Sequence, residues 1–114
     1  MDKPKNTESP LERILSVLEP LGKLIVHKEA GAKGIHKDNI LFCLVDRNDV
    51  YLNNTEIGGD YYFYKGLRLP FRKVENIHTI LKQKARSSDI DKFLKYATQS
   101  YWTMAGLRKI KQEF

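Results

Sequence analysis

A short, unbroken apolar run near the middle of the chain most constrains what this sequence can fold into. Residues 40–45 are Ile-Leu-Phe-Cys-Leu-Val, a run too short for a membrane helix and of the right length for a strand buried on both faces. Polar residues rich in Asn and Asp lie on either side of it, at 37–39 and 46–49. These residues favour turns, because Asn and Asp bond to their own backbone and tolerate unusual dihedral angles. Residues 50–52 then resume a strand. The pattern predicts a central strand with neighbours on both sides.

A capped helix is predicted ahead of these strands. Ser9 can accept hydrogen bonds from free amides, Pro10 suits the first helical position, and Glu12 completes a capping box. Leucine and isoleucine residues then recur at spacings of three and four, which is typical of an amphipathic helix. Pro20 does not fit a helix interior, so the helix is expected to end near Glu19.

A second, longer helix is predicted at the carboxyl end, from Asp89 to about Lys111. Ser87 or Ser88 can cap it, acidic residues suit its positive end, and basic residues suit its negative end. Shorter signals lie between the two helices. They predict a first strand over residues 23–27, a flexible loop over 29–34, an aromatic strand over 61–64, a return strand over 67–71 and a β-rich segment over 77–81.

These elements define the expected architecture. The fold class is α+β: a two-layer domain with an N-terminal helix, a bent antiparallel sheet of five or six strands, and a long C-terminal helix. Strand alternation places Phe42 and Leu44 on the same face of the sheet. The polar residues 1–8 are expected to form a disordered N-terminal tail. Residues 9–114 are expected to form a single domain with a modest core.

The sequence carries no recognisable catalytic or metal-binding constellation, so an enzyme, a cofactor and a metal site are not expected. A metal site needs several ligands at workable spacing, and the three histidines, His27, His36 and His78, lie on different predicted elements. Cys43 lies inside the apolar run, which favours a buried thiol over a nucleophile. Residues 31–34 lack the Gly-Lys-Ser/Thr ending of a phosphate-binding loop.

The same composition bears on the cellular location. No apolar run approaches the roughly 20 residues needed to span a bilayer. Residues 1–8 have no apolar core and do not resemble a signal peptide. The single cysteine excludes an internal disulfide. We therefore expect a cytoplasmic protein with no membrane partner.

The positive charge is concentrated in the second half of the chain. The net charge is +6; residues 1–64 hold 8 Lys/Arg against 10 Asp/Glu, and residues 65–114 hold 12 against 4. Such asymmetry attracts polyanions or acidic protein surfaces, although Lys and Arg also protect solvated edge strands. The candidate residues for binding a nucleic acid or an acidic partner are Lys65, Arg68, Arg72, Lys73, Lys82, Lys84 and Arg86.

The distal half of the last helix is a second candidate surface. Trp102 falls outside the main apolar stripe, next to Tyr101, and Phe114 ends the chain. Aromatic residues are enriched at protein interfaces, so these three are candidate interface residues for a second copy or a regulatory partner. The alternative is that Trp102 covers the sheet edge or packs on the first helix.

Four short motifs stand in a particular order along the chain. They are Leu-Glu-Pro-Leu-Gly at 18–22, Gly-Ile at 34–35 after Gly31, Leu-Phe-Cys-Leu-Val at 41–45, and Val-Tyr-Leu at 50–52. In this order and spacing they resemble the N-terminal domain of the TfoX/Sxy family, the regulators of bacterial natural competence. The chain departs from the family pattern at His27, Glu29-Ala30, Ala32 and Asn53. No counterpart of the family's second, helical domain is found in these 114 residues.

The resemblance implies a function as well as a fold. It implies a non-enzymatic regulatory domain that acts as a transcriptional co-activator of competence-type genes, with the cyclic-AMP receptor protein and RNA polymerase as partners. In that role the basic half of the chain is expected to contact DNA backbone, without sequence specificity, or an acidic protein face. The alternative is an interaction or adaptor module, expected as a homodimer, with no role at DNA.

Overall fold

The structure is a computed structural model, and it describes residues 9–29, 32–53, 62–64, 67–69 and 71–113. Within these ranges, side chains are described for residues 9–28, 32–53 and 71–106. The predicted N-terminal tail, the loop at 54–60, Lys65 and Phe114 lie outside the described residues. The fold is α+β, as the sequence predicted, with an N-terminal helix, a five-stranded antiparallel sheet and a long C-terminal helix.

The first helix, α1, spans Pro10–Val17 and begins as its sequence predicted. The Ser9 hydroxyl accepts a hydrogen bond from the Glu12 amide at 3.1 Å, which satisfies one of the free donors of the first turn. A 3-10 turn over Glu19–Leu21 follows. Gly22 then ends this turn with a φ of 104°, a positive value that favours glycine.

Five strands form the main sheet in the order β1-β2-β3-β4-β7, and every neighbouring pair is antiparallel. The first four form a meander with short connections, which makes each strand the neighbour of the next. Strands β5 and β6 pair with each other as a separate two-stranded sheet. The strand bounds are β1 Ile25–Glu29, β2 Ala32–Lys37, β3 Ile40–Asp46, β4 Asp49–Asn53, β5 Tyr62–Tyr64, β6 Leu67–Leu69 and β7 Phe71–Lys73.

The prediction of a flexible loop over residues 29–34 is wrong, because β2 begins at Ala32. Gly34 faces His27 on one side and Leu44 on the other, and Ile35 is fully buried. The glycine therefore lies inside the sheet. Isolated glycines inside strands often mark a close approach of backbone or neighbouring side chains.

A bulge in β3 changes the alternation of side chains that the sequence predicted. Ile35 pairs with Cys43 and His36 pairs with Leu41, so Phe42 is an extra residue on β3. Phe42 and Cys43 consequently both join the main core, whereas Leu44 joins a smaller cluster on the opposite face. The prediction that Phe42 and Leu44 share a face is therefore wrong. The prediction that this strand is covered on both sides is confirmed, since all three residues have no exposed surface.

The main core lies between one face of the sheet and the helices. Residues of α1 pack there with a one-turn helix, α2 (Ile77–Leu81), and with the first part of the long helix α3 (Ser87–Glu113). The prediction of a β-rich segment at 77–81 is wrong. A helical spacing of three buries both Ile77 and Ile80, and α1 is tied to this turn by the Arg13 side chain, which donates to the Ile80 carbonyl at 2.9 Å.

The long helix α3 begins at Ser87, slightly earlier than the predicted start at Asp89. The Asp89 carboxylate accepts a hydrogen bond from the Arg86 amide at 3.2 Å, so an acidic side chain in the first turn secures the residue before the helix. Acidic residues also suit the positive end of a helix. Among the described helices, including α3, none combines the length and the apolar character that crossing a membrane requires.

Candidate interaction surfaces

The structure divides the predicted basic residues into two groups with different surroundings. Arg72 and Lys73 lie on β7, at one side of the five-stranded sheet. The Arg72 guanidinium is 3.7 Å from the Glu75 carboxylate, and the Lys73 ammonium is 3.5 Å from the Asp49 carboxylate. These nearby carboxylates offset much of the positive charge that β7 would otherwise present to a polyanion.

The second group occupies the connection between α2 and α3. Lys82, Lys84 and Arg86 are all exposed, within a segment of five residues. Gln83 has a φ of 58°, and the Lys84 amide donates to the Thr79 carbonyl at 2.8 Å, so local backbone bonds hold the turn. Within the described residues, Lys82 and Lys84 form no ion pair.

Exposed basic residues continue from this connection onto the start of α3. Arg86 approaches Asp89 to 3.8 Å, but its side chain remains 87% exposed. Lys92 and Lys95 follow on the exposed side of the helix. Residues 82–95 together hold five Lys/Arg against two Asp/Glu. We call this segment the basic connection. Of the remaining predicted basic residues, Lys65 lies outside the described residues, and Arg68 lies on β6 with its side chain outside them.

Tyr101, a predicted interface residue, is buried and tied to the sheet. Its hydroxyl donates to the Asp38 carboxylate at 2.8 Å, and its ring meets Phe42 edge-on with centroids 6.1 Å apart. The Lys37 ammonium lies 4.5 Å from the ring centroid, within cation–π range. The hydrogen bond to Asp38, followed by burial, raises the pKa of the Tyr101 hydroxyl above its ordinary value. Tyr101 therefore holds α3 against the β2–β3 turn.

Trp102, the next residue, points away from the core. Its side chain is 64% exposed, and its ring contacts Tyr101 at a centroid distance of 5.0 Å. Tyr96 is 48% exposed on the same side of α3, with the Lys92 ammonium 6.0 Å from its ring centroid. We call the exposed set Lys92, Lys95, Tyr96, Gln99 and Trp102 the outward stripe of α3.

Ser100 was not singled out by the sequence, although it joins α3 to two strands. It is fully buried; its hydroxyl donates to the Phe42 carbonyl at 2.6 Å and accepts from the Asn53 amide at 2.8 Å. The bulge helps to explain the bond to the Phe42 carbonyl, because a bulged residue is left out of the regular hydrogen bonds between the strands. The only sequence signal was a serine on the same helical side as Phe93 and Ala97.

Two histidines that the sequence placed on separate elements meet in the structure. The rings of His27 on β1 and His36 on β2 have centroids 4.5 Å apart, with an angle of 81° between their planes. The His36 Nδ1 lies 3.3 Å from the Gly34 carbonyl oxygen. The sequence missed this pair because residues 29–34 were predicted as a loop instead of as part of a hairpin.

The described residues otherwise carry little reactive chemistry. Cys43 is fully buried, and burial raises the pKa of its thiol far above the ordinary value, so the thiol stays protonated. In the part of the chain that the structure describes, there is no group of three or more His, Cys, Asp or Glu side chains arranged to hold a metal ion. No protein-family model matches the chain, and a search of curated proteins gives no match.

Proposed function

We propose that this protein is a non-enzymatic regulatory domain that binds polyanions through the basic connection, with DNA backbone as the principal polyanion. The observation that carries the proposal is the exposure of Lys82, Lys84 and Arg86 on one short connection, continued by Lys92 and Lys95 on α3. Positive side chains that project into water from a fixed backbone can approach phosphates closely. Each phosphate contact releases condensed counterions, which makes binding sensitive to salt and insensitive to sequence.

The resemblance to the TfoX/Sxy N-terminal domain supports a place for this binding in gene regulation. On that reading the protein is a cytoplasmic co-activator of competence-type genes. Contact with DNA backbone would hold it near a promoter, and partners in the transcription machinery, such as the cyclic-AMP receptor protein or RNA polymerase, would supply the sequence specificity. An acidic face on such a partner could use the same basic connection.

A matched pair of double variants tests the proposal. Anisotropy titrations with unrelated DNA duplexes, over a range of salt concentrations, give the salt slope for each protein. Charge reversal at Lys82 and Lys84 should weaken binding at low salt and lower the slope by roughly 1–2. The control is reversal at Lys23 and Lys28, two exposed lysines near β1 that carry the same charge. Equal effects of the two double variants would mean that net charge, and not the basic connection, governs binding.

A second candidate function is protein docking without a role at DNA. The observation that favours it is Trp102, whose large apolar ring is 64% exposed on the outward stripe of α3. Trp is enriched among the residues that dominate binding energy at interfaces. In this case the protein is an adaptor that forms a homodimer through α3. Sedimentation over a range of concentrations should then show self-association that Trp102→Ala abolishes, and a wild-type monomer at every concentration would rule out the dimer.

A further inference from the structure

Two aromatic rings are exposed on the outward stripe of α3, with basic side chains beside them. The Trp102 side chain is 64% exposed, and the Tyr96 side chain is 48% exposed. The six residues from one to the other correspond to about 9 Å along a helix axis. Lys92 is exposed one turn before Tyr96, and Lys95 is exposed two turns before Trp102. The stripe therefore offers large flat apolar surfaces and positive charge on the same side of one helix.

The fold restrains the Trp102 ring from one side. The ring contacts Tyr101 with centroids 5.0 Å apart and an angle of 73° between the planes. Tyr101 is itself buried and donates a hydrogen bond to Asp38 at 2.8 Å. A side chain whose orientation is already restrained loses less conformational entropy when a ligand packs on it. Trp102 thus presents a partly ordered surface to a flat ligand.

The charge around the rings favours an anionic ligand. The Lys92 ammonium lies 6.0 Å from the Tyr96 ring centroid. Among the described residues, Lys92 and Lys95 form no ion pair. Asp91 is exposed one turn before Lys95, but the basic connection as a whole holds five Lys/Arg against two Asp/Glu. A ligand that packs on both rings consequently lies near ammonium groups that no described carboxylate neutralises.

This combination favours a nucleic acid strand over a protein as the ligand. Trp and Tyr are enriched at protein interfaces, but Lys is depleted there, and two of the five residues of the stripe are lysines. Proteins that bind single strands combine positive side chains along the backbone with aromatic rings on which bases stack. In a duplex the bases are already stacked on one another, and they have to be extruded before they reach a side chain. The stripe therefore suits a strand with unpaired bases better than a duplex.

We propose that the outward stripe of α3 binds single-stranded DNA, with unpaired bases stacked on Tyr96 and Trp102 and with phosphates beside Lys92 and Lys95. The strand continues along the basic connection, so its binding rests on the polyanion binding proposed above. Duplex DNA contacts the basic connection alone. Stacking tolerates any sequence, because every base has a flat π face.

The fluorescence of Trp102 tests the proposal directly, because Trp102 is the only tryptophan of the chain. The titrant is an oligothymidylate of about twelve nucleotides, within the usual range of site sizes, and anisotropy of a labelled strand measures its binding. The strand should quench the emission, because a base stacked on an indole ring quenches it. An abasic strand of the same length, which carries the same phosphates, should bind more weakly and leave the emission unchanged. Unchanged emission in the complex with oligothymidylate would overturn the stacking, while polyanion binding through the basic connection would stand.

Two variants assign the stacking residues. Trp102→Leu and Tyr96→Leu keep an apolar side chain and remove the flat ring, so each should weaken oligothymidylate binding by roughly fivefold or more. Their affinity for a duplex should stay that of the wild-type protein. The control is Ile25→Ala, because Ile25 is a 44% exposed apolar residue on β1, on another element of the fold. Equal losses in Ile25→Ala and Trp102→Leu would refute the assignment to the stripe.

Each alternative ligand has its own outcome in these measurements. Emission that changes with protein concentration, and not with oligothymidylate, would assign the stripe to a second copy of the chain. Tighter binding of oligouridylate than of oligothymidylate would assign it to RNA. Equal affinity for oligothymidylate, the abasic strand and a duplex would leave the phosphates as the only groups recognised. If no polyanion binds at low salt, both the stacking and the polyanion binding proposed above are wrong.

Discussion

The two sides of α3 differ sharply although they share one helix. On the inner side, Ser100 and Tyr101 are buried and bonded to the sheet through Phe42, Asn53 and Asp38. On the outer side, Trp102 is 64% exposed, and its nearest described ring neighbour is Tyr101 itself. Tyr101 and Trp102 are adjacent in the chain, yet one is buried and the other exposed, because consecutive residues point in different directions from a helix. The inner side fixes α3 to the sheet, and the side chains of the outer side face water.

The largest effect on stability should come from the sheet beneath the inner side. Phe42→Ala removes a ring with no exposed surface, which contacts Tyr101 and lies at the bulge of β3. The cavity should lower the free energy of unfolding by about 3–5 kcal/mol in chemical denaturation. The control is Tyr96→Ala, an aromatic truncation on the outward stripe, with a change of about 0.5 kcal/mol or less. A loss below about 1 kcal/mol for Phe42→Ala would contradict the placement of this ring in the core.

The position of Phe42 on β3 shows how much of the fold could be predicted from the sequence. The apolar run at 40–45 was enough to predict a strand covered on both sides, because a short continuous apolar run between turn-forming residues is typical of a buried strand. The face of each residue was not predictable by alternation. The bulge at Phe42 depends on pairing with β2, and pairing between strands leaves no signal in the residues of one strand.

Two further errors have the same origin in tertiary contacts. Residues 77–81 have the β-branched composition of a strand, yet as one helical turn they bury Ile77 and Ile80 together against α1. The glycines at 31 and 34 are typical of a loop, yet Gly34 lies inside the sheet between His27 and Leu44. Local propensity is a weak prior that packing overrides.

Ser100→Ala tests whether the inner side is fastened by polar bonds as well as by packing. The change removes a hydroxyl that both donates to the Phe42 carbonyl and accepts from the Asn53 amide. Two buried backbone groups lose a partner, so the free energy of unfolding should fall by about 1–3 kcal/mol. Thr98→Ala is the control, because the exposed Thr98 hydroxyl donates to the Leu94 carbonyl of its own helix at 2.8 Å. Similar losses for both variants would remove the distinction between the two sides.

Tyr101→Phe isolates the single bond between α3 and the β2–β3 turn. Loss of the hydroxyl that donates to Asp38 should lower the free energy of unfolding by about 1 kcal/mol at pH 7. Because the folded protein raises the pKa of Tyr101, chiefly through this bond, the protonated hydroxyl stabilises the fold fully below the ordinary pKa of about 10. That contribution is lost as pH rises through the raised pKa.

Denaturation at several pH values between neutral and strongly alkaline separates this bond from packing. The wild-type protein should lose stability more steeply above about pH 10 than Tyr101→Phe does. Parallel curves for the two proteins would show that folding does not raise the pKa of Tyr101. Asp38→Asn provides a second measurement, since it keeps a hydrogen-bond acceptor and removes the charge.

The candidate surfaces were less predictable than the fold, for a related reason. The sequence identified the basic residues as one set, but β4–β7 pairing places Lys73 beside Asp49, and the turn after β7 places Arg72 beside Glu75. Among the candidate basic residues whose side chains the structure describes, Lys73 is exposed but lies beside a carboxylate, whereas Lys82 and Lys84 of the α2–α3 connection are exposed and form no ion pair with described residues. Composition gives the sum of the charges, whereas the pairing of Lys73 with Asp49 depends on a contact between residues that are distant in the chain.

The smallest effect on stability is expected at the outer side of α3. Trp102→Ala removes a ring that is 64% exposed and that contacts the edge of Tyr101 at 5.0 Å between centroids. Since most of this surface already faces water, the free energy of unfolding should fall by less than about 1 kcal/mol, even with the ring contact included. Chemical denaturation alongside Tyr101→Ala, whose ring is buried, provides the comparison within one turn of helix. A loss above about 2 kcal/mol for Trp102→Ala would place Trp102 in the core, and docking through the outward stripe of α3 would then have to rest on Tyr96 and the lysines beside it.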